Sequence, residues 1–297
     1  MSNQQHTNNL SKILRNLGIA SGHSLEKQIA QFLMYCHHKR MLEVTIQLSL
    51  ERKTAQKDYQ KAQNVGKNID FLKSRQQALL DPERIWLMAK SAYNQHLRDY
   101  AFLYLAFNLL EDSLRRKVDV HYSSKHKDSW FQDTSLYPIN IIQKYNKNGE
   151  LNKLCNLRNG HIFTERLSFG DIITFIYDST AWNKHRTQEL FTNHPSLDSG
   201  SQMLPNLSRC QVYEKLTILQ WRRNGVYHHN LISKSYRPPS GAECSLNLPN
   251  YNDGTFTNTR KRIYEMFEYL GLRPIYVMQQ IIGTAETISC LSNTLGT

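Results

Sequence analysis

Glycine and proline are scarce in this chain, and their scarcity limits the folds open to it. Only 13 glycines and 8 prolines occur among 297 residues. Folds built from many short strands need frequent tight turns, which require such residues at fixed positions. No segment shows the alternation of apolar and polar residues that is typical of a half-buried strand. The sequence therefore predicts an all-α protein with long helices.

Capping residues mark where several of these helices should begin. Asp81-Pro82 is a strong helix start, because a capping residue precedes a proline at the first helical position. Ser24 and Ser168 are predicted N-caps, and Pro205 is predicted to open a helix that runs through Val226. The pattern also predicts a frayed tail at 1–9, a long helical stretch at 24–62, a helix at 182–191 and a loop at 236–258. Two last helices are predicted at 259–270 and 274–292.

The start at Asp81 also suggests a division of the chain. Residues 1–80 are predicted to form an N-terminal helical extension, and residues 81–297 the main helical domain. The extension contains a nearly all-polar helical stretch near 45–65. A helix of that kind usually projects into solvent or pairs with a partner.

The balance of charge favours a polyanionic partner. Lysine and arginine number 37 and aspartate and glutamate 25, which gives a net charge of +12. Such a surplus attracts polyanions, of which nucleic acid is the most common. The alternative is that the charge serves only solubility.

Cysteine usage and hydropathy indicate a reduced, cytoplasmic location. The five cysteines are scattered and form no CxxC pair, so neither a disulfide framework nor a zinc knuckle is expected. The polar N-terminus lacks a signal core. The most apolar stretch, 101–110, is far shorter than the ~20 residues that span a bilayer.

The most informative segment is 220–230, which reads Gln-Trp-Arg-Arg-Asn-Gly-Val-Tyr-His-His-Asn. On a helix, Arg223 and His228 lie about 140° apart. Asn224 and His228, at i and i+4, share one face, and Gly225 loosens the helix between them. We therefore expect Arg223 and His228 to flank one groove, with Asn224 beneath them.

These side chains suit the cleavage of RNA by its own 2'-hydroxyl. Histidine supplies an acid or base that titrates near neutral pH. Arginine binds the phosphate with a bidentate fork and stabilises the charge that develops on it. No cluster of carboxylates lies nearby in the sequence, so neither a metal nor another cofactor is expected. The plainer interpretation is that arginine, asparagine and histidine here only cap or solvate a helix.

The segment resembles the RN-xxx-HH signature of the HEPN superfamily. More narrowly, the chain looks like its bacterial abortive-infection (Abi-like) branch, over about residues 95–235. Three further motifs match in order. They are Leu109 to Arg116 as an "LE-x-x-LR" helix with Trp130 downstream, Leu167 to Asp171 as an "LSFG" helix start followed by Ala181-Trp182, and Arg209 to Leu219, which leads into the RN-xxx-HH segment. Gly225 and Asn230 depart from the branch, which often has a basic and an acidic residue there.

The resemblance implies a fold, an activity and partners. The fold would be a HEPN-type helical bundle, and the activity metal-independent RNA cleavage by a homodimer in which two such motifs face each other. The biological role would be that of a toxin or abortive-infection effector in phage defence, restrained by an RNA or protein antitoxin. The alternatives are a non-catalytic module that binds RNA or protein, with the polar helix near 45–65 as its contact arm, and a structural protein in which the motif only braces the bundle.

The resemblance also implies roles for individual residues. Arg223 would bind the scissile phosphate, His228 would be the general acid and base, and Asn224 the polar member after the arginine. Supporting roles fall to His229, Glu111 and Arg115, and RNA contacts to Trp221, Arg222 and Tyr227.

Other candidates are weaker. Arg158-Asn159-Gly160-His161 echoes the motif, but its arginine and histidine are too close in sequence. Cys36-His37-His38 suggests a metal site, yet adjacent residues on a helix point apart. Tyr100 and Tyr104 are expected to pack in the core, whereas Trp221 and Tyr227 are equally suited to the core and to stacking on bases.

Overall fold

The computed structural model describes residues 3–65, 69–191, 203–228 and 256–273, with the single positions 279 and 283. In these ranges the chain forms α-helices and short 3₁₀ turns and no β-strand, which confirms the predicted all-α class. The helices are α1 Asn3–Leu17, α2 Leu25–Tyr35, α3 His38–Val65, α4 Ile69–Leu80, α5 Pro82–His126, α6 Ile139–Lys147, α7 Leu151–Cys155, α8 Gly160–Arg166, α9 Phe169–Tyr177, α10 Ser179–Asn183, α11 Arg209–Tyr227 and α12 Phe256–Tyr269. The 3₁₀ turns are Trp130–Gln132, Thr134–Leu136 and Thr187–Phe191.

The described residues separate into two compact units, and the division falls inside α5, between Tyr100 and Ala101. The first unit holds α1 to α4, the first part of α5, and His228. The second unit holds the remainder of α5 and α6 to α12. Asp81, where the sequence suggested a division, immediately precedes α5.

The core of the first unit comes from apolar faces of α1, α2, α3 and the start of α5. Residues with no exposed surface include Ile13, Ile29, Leu33, Met41, Ile85 and Ala89. Phe32 contacts the rings of Trp86 and Tyr93 edge-on, at centroid distances of 5.4 and 5.6 Å. Because α1 already begins at Asn3, the predicted frayed tail is wrong from that residue onward.

Two details of the first unit differ from the sequence prediction. Ser24 has helical backbone angles and its side chain makes no capping hydrogen bond, so its predicted N-cap role is wrong. Instead, the Nδ1 atom of His23 accepts a hydrogen bond from the backbone N–H of Leu25 at 3.2 Å. The predicted continuous stretch is also broken at Cys36, whose extended backbone ends α2.

The beginning of α5 agrees with the prediction. The Oδ1 atom of Asp81 accepts hydrogen bonds from the backbone N–H groups of Glu83 and Arg84, at 2.9 and 3.0 Å. These bonds satisfy N–H groups that have no partner within a helix. The helix then continues without a break for 45 residues. None of the helices in the described ranges, α5 included, is long and apolar enough to cross a bilayer.

The helix starts in the second unit are only partly as predicted. Ser168 caps α9 and forms a capping box with Asp171, which confirms that prediction. The predicted helix over 182–191 is wrong, because this segment holds only the end of α10 and a 3₁₀ turn. Pro205 does not open α11, which begins at Arg209. Helix α12 covers the first predicted C-terminal helix, whereas 236–255 and nearly all of 274–292 lie outside the described residues.

Aromatic rings fill the core of the second unit and fix α5 against α8 and α9. Trp130 is 1% exposed and contacts the ring of Tyr122 on α5 at 4.7 Å and that of Phe163 on α8 at 5.1 Å. The Nε1 atom of Trp130 donates to Asp119 of α5 at 2.9 Å. This packing sets the position of α8 beside the part of α5 that carries Glu111 and Arg115.

Candidate functional site

Helix α11 carries the motif that the sequence singled out. Gly225 lies inside the helix, with nothing within 4 Å of where a Cβ atom would stand. A glycine costs a helix about 1 kcal/mol relative to alanine. Apolar residues on the helix, such as the buried Val226, offset that cost by packing. Arg223 and Asn224 are therefore helical.

The carboxylate of Glu111 on α5 is shared by two arginines. Its Oε1 atom lies 2.5 Å from Nη2 of Arg115, four residues along the same helix. Its Oε2 atom accepts from Nε of Arg223 on α11 at 3.2 Å and lies 3.0 Å from Nη2 of the same residue. The side chains of Glu111 and Arg115 are 10% and 9% exposed. The structure thus brings together three residues that the resemblance placed at the site.

A further contact holds Arg115 against α8. Its Nη1 atom donates to the backbone carbonyl of Thr164, a residue with no exposed surface. The guanidinium of Arg115 therefore binds Glu111 and α8, and Arg115 is a positioning group for Glu111. The contact with Thr164 could not be predicted from the sequence, because a backbone carbonyl accepts a hydrogen bond whatever the side chain is.

The guanidinium of Arg223 is fixed but not enclosed. Besides Glu111, it contacts the ring of Tyr227 at 4.0 Å from the centroid and donates from Nη1 to Oδ1 of Asn224 at 3.3 Å. Its side chain is 28% exposed. A guanidinium has five N–H donors, and these bonds use three of them. Two guanidiniums on one carboxylate also leave the group of Glu111, Arg115 and Arg223 with a net charge of +1.

Tyr227 connects Arg223 to the earlier part of α5. Its hydroxyl donates to Oδ1 of Asn108 at 2.5 Å, and its ring contacts that of Tyr104 edge-on at 4.7 Å. Burial raises the pKa of Tyr227 above 10.0, although the charge of Arg223 acts in the opposite direction. The hydroxyl therefore stays protonated and remains a donor.

Two tyrosines of α5 were predicted to lie in the core, and only one does. Tyr100 is 6% exposed, which confirms the prediction, but Tyr104 is 47% exposed, so that prediction is wrong. Helical periodicity shows which residues share a face but not how far the neighbouring elements cover it. Asn108 was missed as a site residue, although a lone amide inside the most apolar stretch of the chain was a signal for it.

Trp221 and Arg222 also lie on α11. Arg222 is 1% exposed, and its guanidinium lies 4.7 Å from the ring centroid of Trp221. A guanidinium at that depth belongs to the packing of the protein, so the structure does not support its predicted contact with RNA. Trp221 is half-buried, as is Tyr227.

His228 follows Tyr227, the last residue of α11, and is exposed. Within the described residues, its imidazole takes part in no hydrogen bond or ion pair. The next residue, His229, lies outside the described ranges. Because α11 ends before His228, the face that Asn224 and His228 were expected to share on a continuous helix is not formed by α11.

The segment that echoed the motif has a structural explanation. Asn159 is the N-cap of α8, and its side chain accepts from the backbone N–H of Ile162 at 2.9 Å. His161 lies 3.2 Å from Glu165 one turn later. His161 and Glu165 line a cavity of about 750 Å³ between α5 and α8. The sequence there encodes the beginning of a helix.

The cysteines and histidines give two further findings. Cys210 is disulfide-bonded, whereas Cys36 and Cys155 are free. The ring of His38 contacts the carbonyl of Leu33 at 2.5 Å, which accounts for one of the two histidines after Cys36. In the described parts of the chain, no group of three or more histidine, cysteine or acidic residues is arranged to hold a metal ion.

Comparison with models of known protein families, with curated proteins and with solved structures finds no match for this chain.

Proposed function

We propose that the chain is a metal-independent HEPN-type endoribonuclease that acts as a toxin or abortive-infection effector in phage defence. The observation that carries the proposal is the state of Arg223. Its guanidinium is held by a buried carboxylate and an aromatic ring, belongs to a group of net charge +1, and keeps N–H donors free. A fixed cation with free donors is what binding of a phosphodiester requires.

The reaction assigned to the site is an internal transesterification. The 2'-oxygen attacks phosphorus, the bond from phosphorus to the 5'-oxygen breaks, and the products are a 2',3'-cyclic phosphate and a 5'-hydroxyl. His228 takes the proton of the 2'-hydroxyl or returns one to the 5'-oxygen, and a second copy of the residue from a twin subunit supplies the other transfer. Arg223 stabilises the negative charge that develops on the phosphate oxygens.

The proposed setting follows from the same activity. The active form is a homodimer, because two copies of the motif supply both an acid and a base. Its substrate is RNA in the cytoplasm, drawn by the net charge of +12. An RNA or protein antitoxin restrains it in uninfected cells. Electrophoresis of protein from alkylated cells, with and without reductant, shows whether Cys210 is disulfide-bonded in the cell and so tests the proposed reduced compartment.

One observation favours the non-catalytic alternative. Arg223 already has a buried counter-ion, and an arginine whose purpose is to brace two helices would make the same contacts. The two functions differ in what Arg223→Ala changes. If Arg223 only braces the two helices, Arg223→Ala lowers the free energy of unfolding and neither form cleaves RNA. If Arg223 is catalytic, Arg223→Ala abolishes a cleavage that the parent shows.

The test is cleavage of labelled single-stranded RNA by the purified chain in the presence of a chelator, with analysis of the product ends. We expect cyclic-phosphate and 5'-hydroxyl ends from the parent. Arg223→Ala and His228→Ala should each lower the rate at least a hundredfold. Intact RNA with the parent, over a range of chain concentrations that includes the dimer, contradicts the proposal.

Arg158→Ala and His161→Ala are matched controls. Both residues are exposed and lie in the segment that echoes the motif. We expect both variants to cleave RNA at the parental rate. A loss of activity in His161→Ala would instead place the reaction at the cavity between α5 and α8, which His161 lines.

A further inference from the structure

An exposed aromatic residue lies beside the fixed guanidinium of Arg223. Tyr104 is 47% exposed, and it precedes Asn108 by one helical turn of α5, so both lie on one face. Exposure of so much of a tyrosine ring has a free-energy cost because apolar surface stays in water. The neighbours of the ring suggest what covers it in a complex.

Tyr227 orients Tyr104 and Arg223 with respect to each other. It contacts the ring of Tyr104 at 4.7 Å with an interplanar angle of 89°, and its own ring lies 4.0 Å from the guanidinium carbon of Arg223. A perpendicular contact uses the edge of one ring and the face of the other. At least one face of Tyr104 is therefore not covered by Tyr227.

Asn108 adds a donor with a defined direction. Its Oδ1 atom accepts from the hydroxyl of Tyr227 at 2.5 Å, which fixes the orientation of the amide. In the described residues, no hydrogen bond involves its Nδ2 atom, and this nitrogen is not among the buried polar atoms without a partner. The two N–H groups of Asn108 are thus available next to the exposed ring.

We propose that Tyr104 and Asn108 form a nucleobase site next to the phosphate site at Arg223. An unpaired base stacks on the free face of Tyr104, and Nδ2 of Asn108 donates to an acceptor on the edge of that base. The inference depends on the proposed function and narrows its substrate class to RNA with an unpaired nucleotide beside the scissile phosphate. A base inside a duplex is covered on both faces by its neighbours, so duplex RNA is a poor substrate.

The test separates binding from cleavage. Single-stranded RNA containing 2-aminopurine is titrated into the full chain carrying His228→Ala, in chelator, and both the dissociation constant and the fluorescence are followed. Stacking on Tyr104 quenches the probe. Since stacking on an aromatic side chain is worth about 1–3 kcal/mol per base, Tyr104→Leu should weaken binding about tenfold and abolish the quenching. Tyr104→Phe keeps the ring and should keep both.

Tyr35→Leu is the matched control, because Tyr35 is a tyrosine with 87% exposure on α2. It should bind RNA as tightly as the parent. Thermal unfolding of each variant shows whether a loss of binding comes from a loss of folding. If Tyr104→Leu folds, binds and quenches as the parent does, the nucleobase site is wrong.

The outcomes also distinguish this inference from the proposed function. A parent chain that cleaves single-stranded and duplex RNA at equal rates, with Tyr104→Leu equally active, overturns only the nucleobase site. A parent chain that binds single-stranded RNA with quenching at Tyr104 but never cleaves it supports the site and overturns the nuclease. A parent chain that does neither overturns both.

Discussion

Glu111 is the residue on which the candidate site depends most. It is buried on α5 and compensates the charge of two arginines, one of which comes from α11. Removing one partner of a buried ion pair is costly because the remaining charge stays uncompensated. In this network the loss of Glu111 leaves Arg115 and Arg223 with like charges next to each other.

Glu111→Gln is therefore expected to lower the free energy of unfolding by about 3 kcal/mol, measured by urea denaturation. RNA cleavage should fall with it, because Arg223 loses its fixed position. Asp112→Asn removes a carboxylate from the exposed neighbouring position and should change stability by less than about 0.5 kcal/mol. Equal stability of Glu111→Gln and the parent would show that the network contributes nothing to the fold.

Two glycines give opposite expectations for the same substitution. A Cβ atom on Gly160 would overlap the Asp119 carboxylate and approach Trp130 Nε1 to 2.7 Å, whereas one on Gly225 meets nothing. Gly160→Ala should destabilise the protein by about 1–3 kcal/mol and shift tryptophan fluorescence. Gly225→Ala should stabilise it by roughly 0.5–1 kcal/mol, since alanine is the better helix former. Thermal unfolding of both variants checks the signs, and a gain from Gly160→Ala contradicts the packing described for α8.

Among the elements, α9 has the most fully satisfied start. The carboxylate of Asp171 accepts from the backbone N–H and hydroxyl of Ser168, from Tyr145, and from Lys144 at 2.7 Å. Burial raises the pKa of Asp171, but the hydrogen bonds from Lys144 and Ser168 outweigh it, and the pKa lies below 3.8. The ionised form therefore stabilises the folded state.

A pH dependence follows for α9. The contribution of Asp171 is fully present above the ordinary pKa of 3.8 and is lost as the pH falls through the lower folded value. Asp171→Asn should cost about 2 kcal/mol at neutral pH, and the difference from the parent should shrink in acid below about pH 4. Urea denaturation at several pH values measures it, with Asp128→Asn, at an exposed position, as the control. A difference that stays constant down to pH 2 would exclude this role of the carboxylate.

At the scale of the whole molecule, the proposed activity needs two copies of the chain. If both copies supply side chains to one phosphodiester, the rate per chain depends on the fraction of dimer. Each chain carries a charge of +12, so low salt should disfavour dimers by repulsion while it strengthens RNA binding.

We therefore expect the cleavage rate per chain to fall on dilution, at the concentration where sedimentation shows monomers replacing dimers. The addition of Arg223→Ala chains in excess should lower the activity of the parent by mixing into its dimers. A constant rate per chain at concentrations where only monomers sediment would show that one chain is sufficient.

Local features of the sequence were reliable where the interaction itself is local. The side chains of Asp81 and Ser168 accept from N–H groups two or three residues further along the chain. The short sequence pattern that predicts each cap therefore also contains its hydrogen-bond partners. The all-α class likewise follows from apolar spacing and scarce turn residues. Ser24 failed because the ring of His23 accepts from the backbone N–H of Leu25 in its place. Pro205 failed because α11 begins only after Ser208, whose hydroxyl accepts from the backbone N–H of Gln211.

The sequence by itself determined the all-α class and the capped starts of α5 and α9, and it placed an arginine and a histidine five positions apart near the end of α11. Only the tertiary structure decided that Glu111, far away in sequence, holds Arg223, that Arg222 is buried, and that Tyr104 is exposed. Burial and pairing depend on which helix packs against which face. Helical spacing defines the apolar face of each helix. How much of that face is buried, and which charged side chains pair between two helices, is decided only when the helices pack.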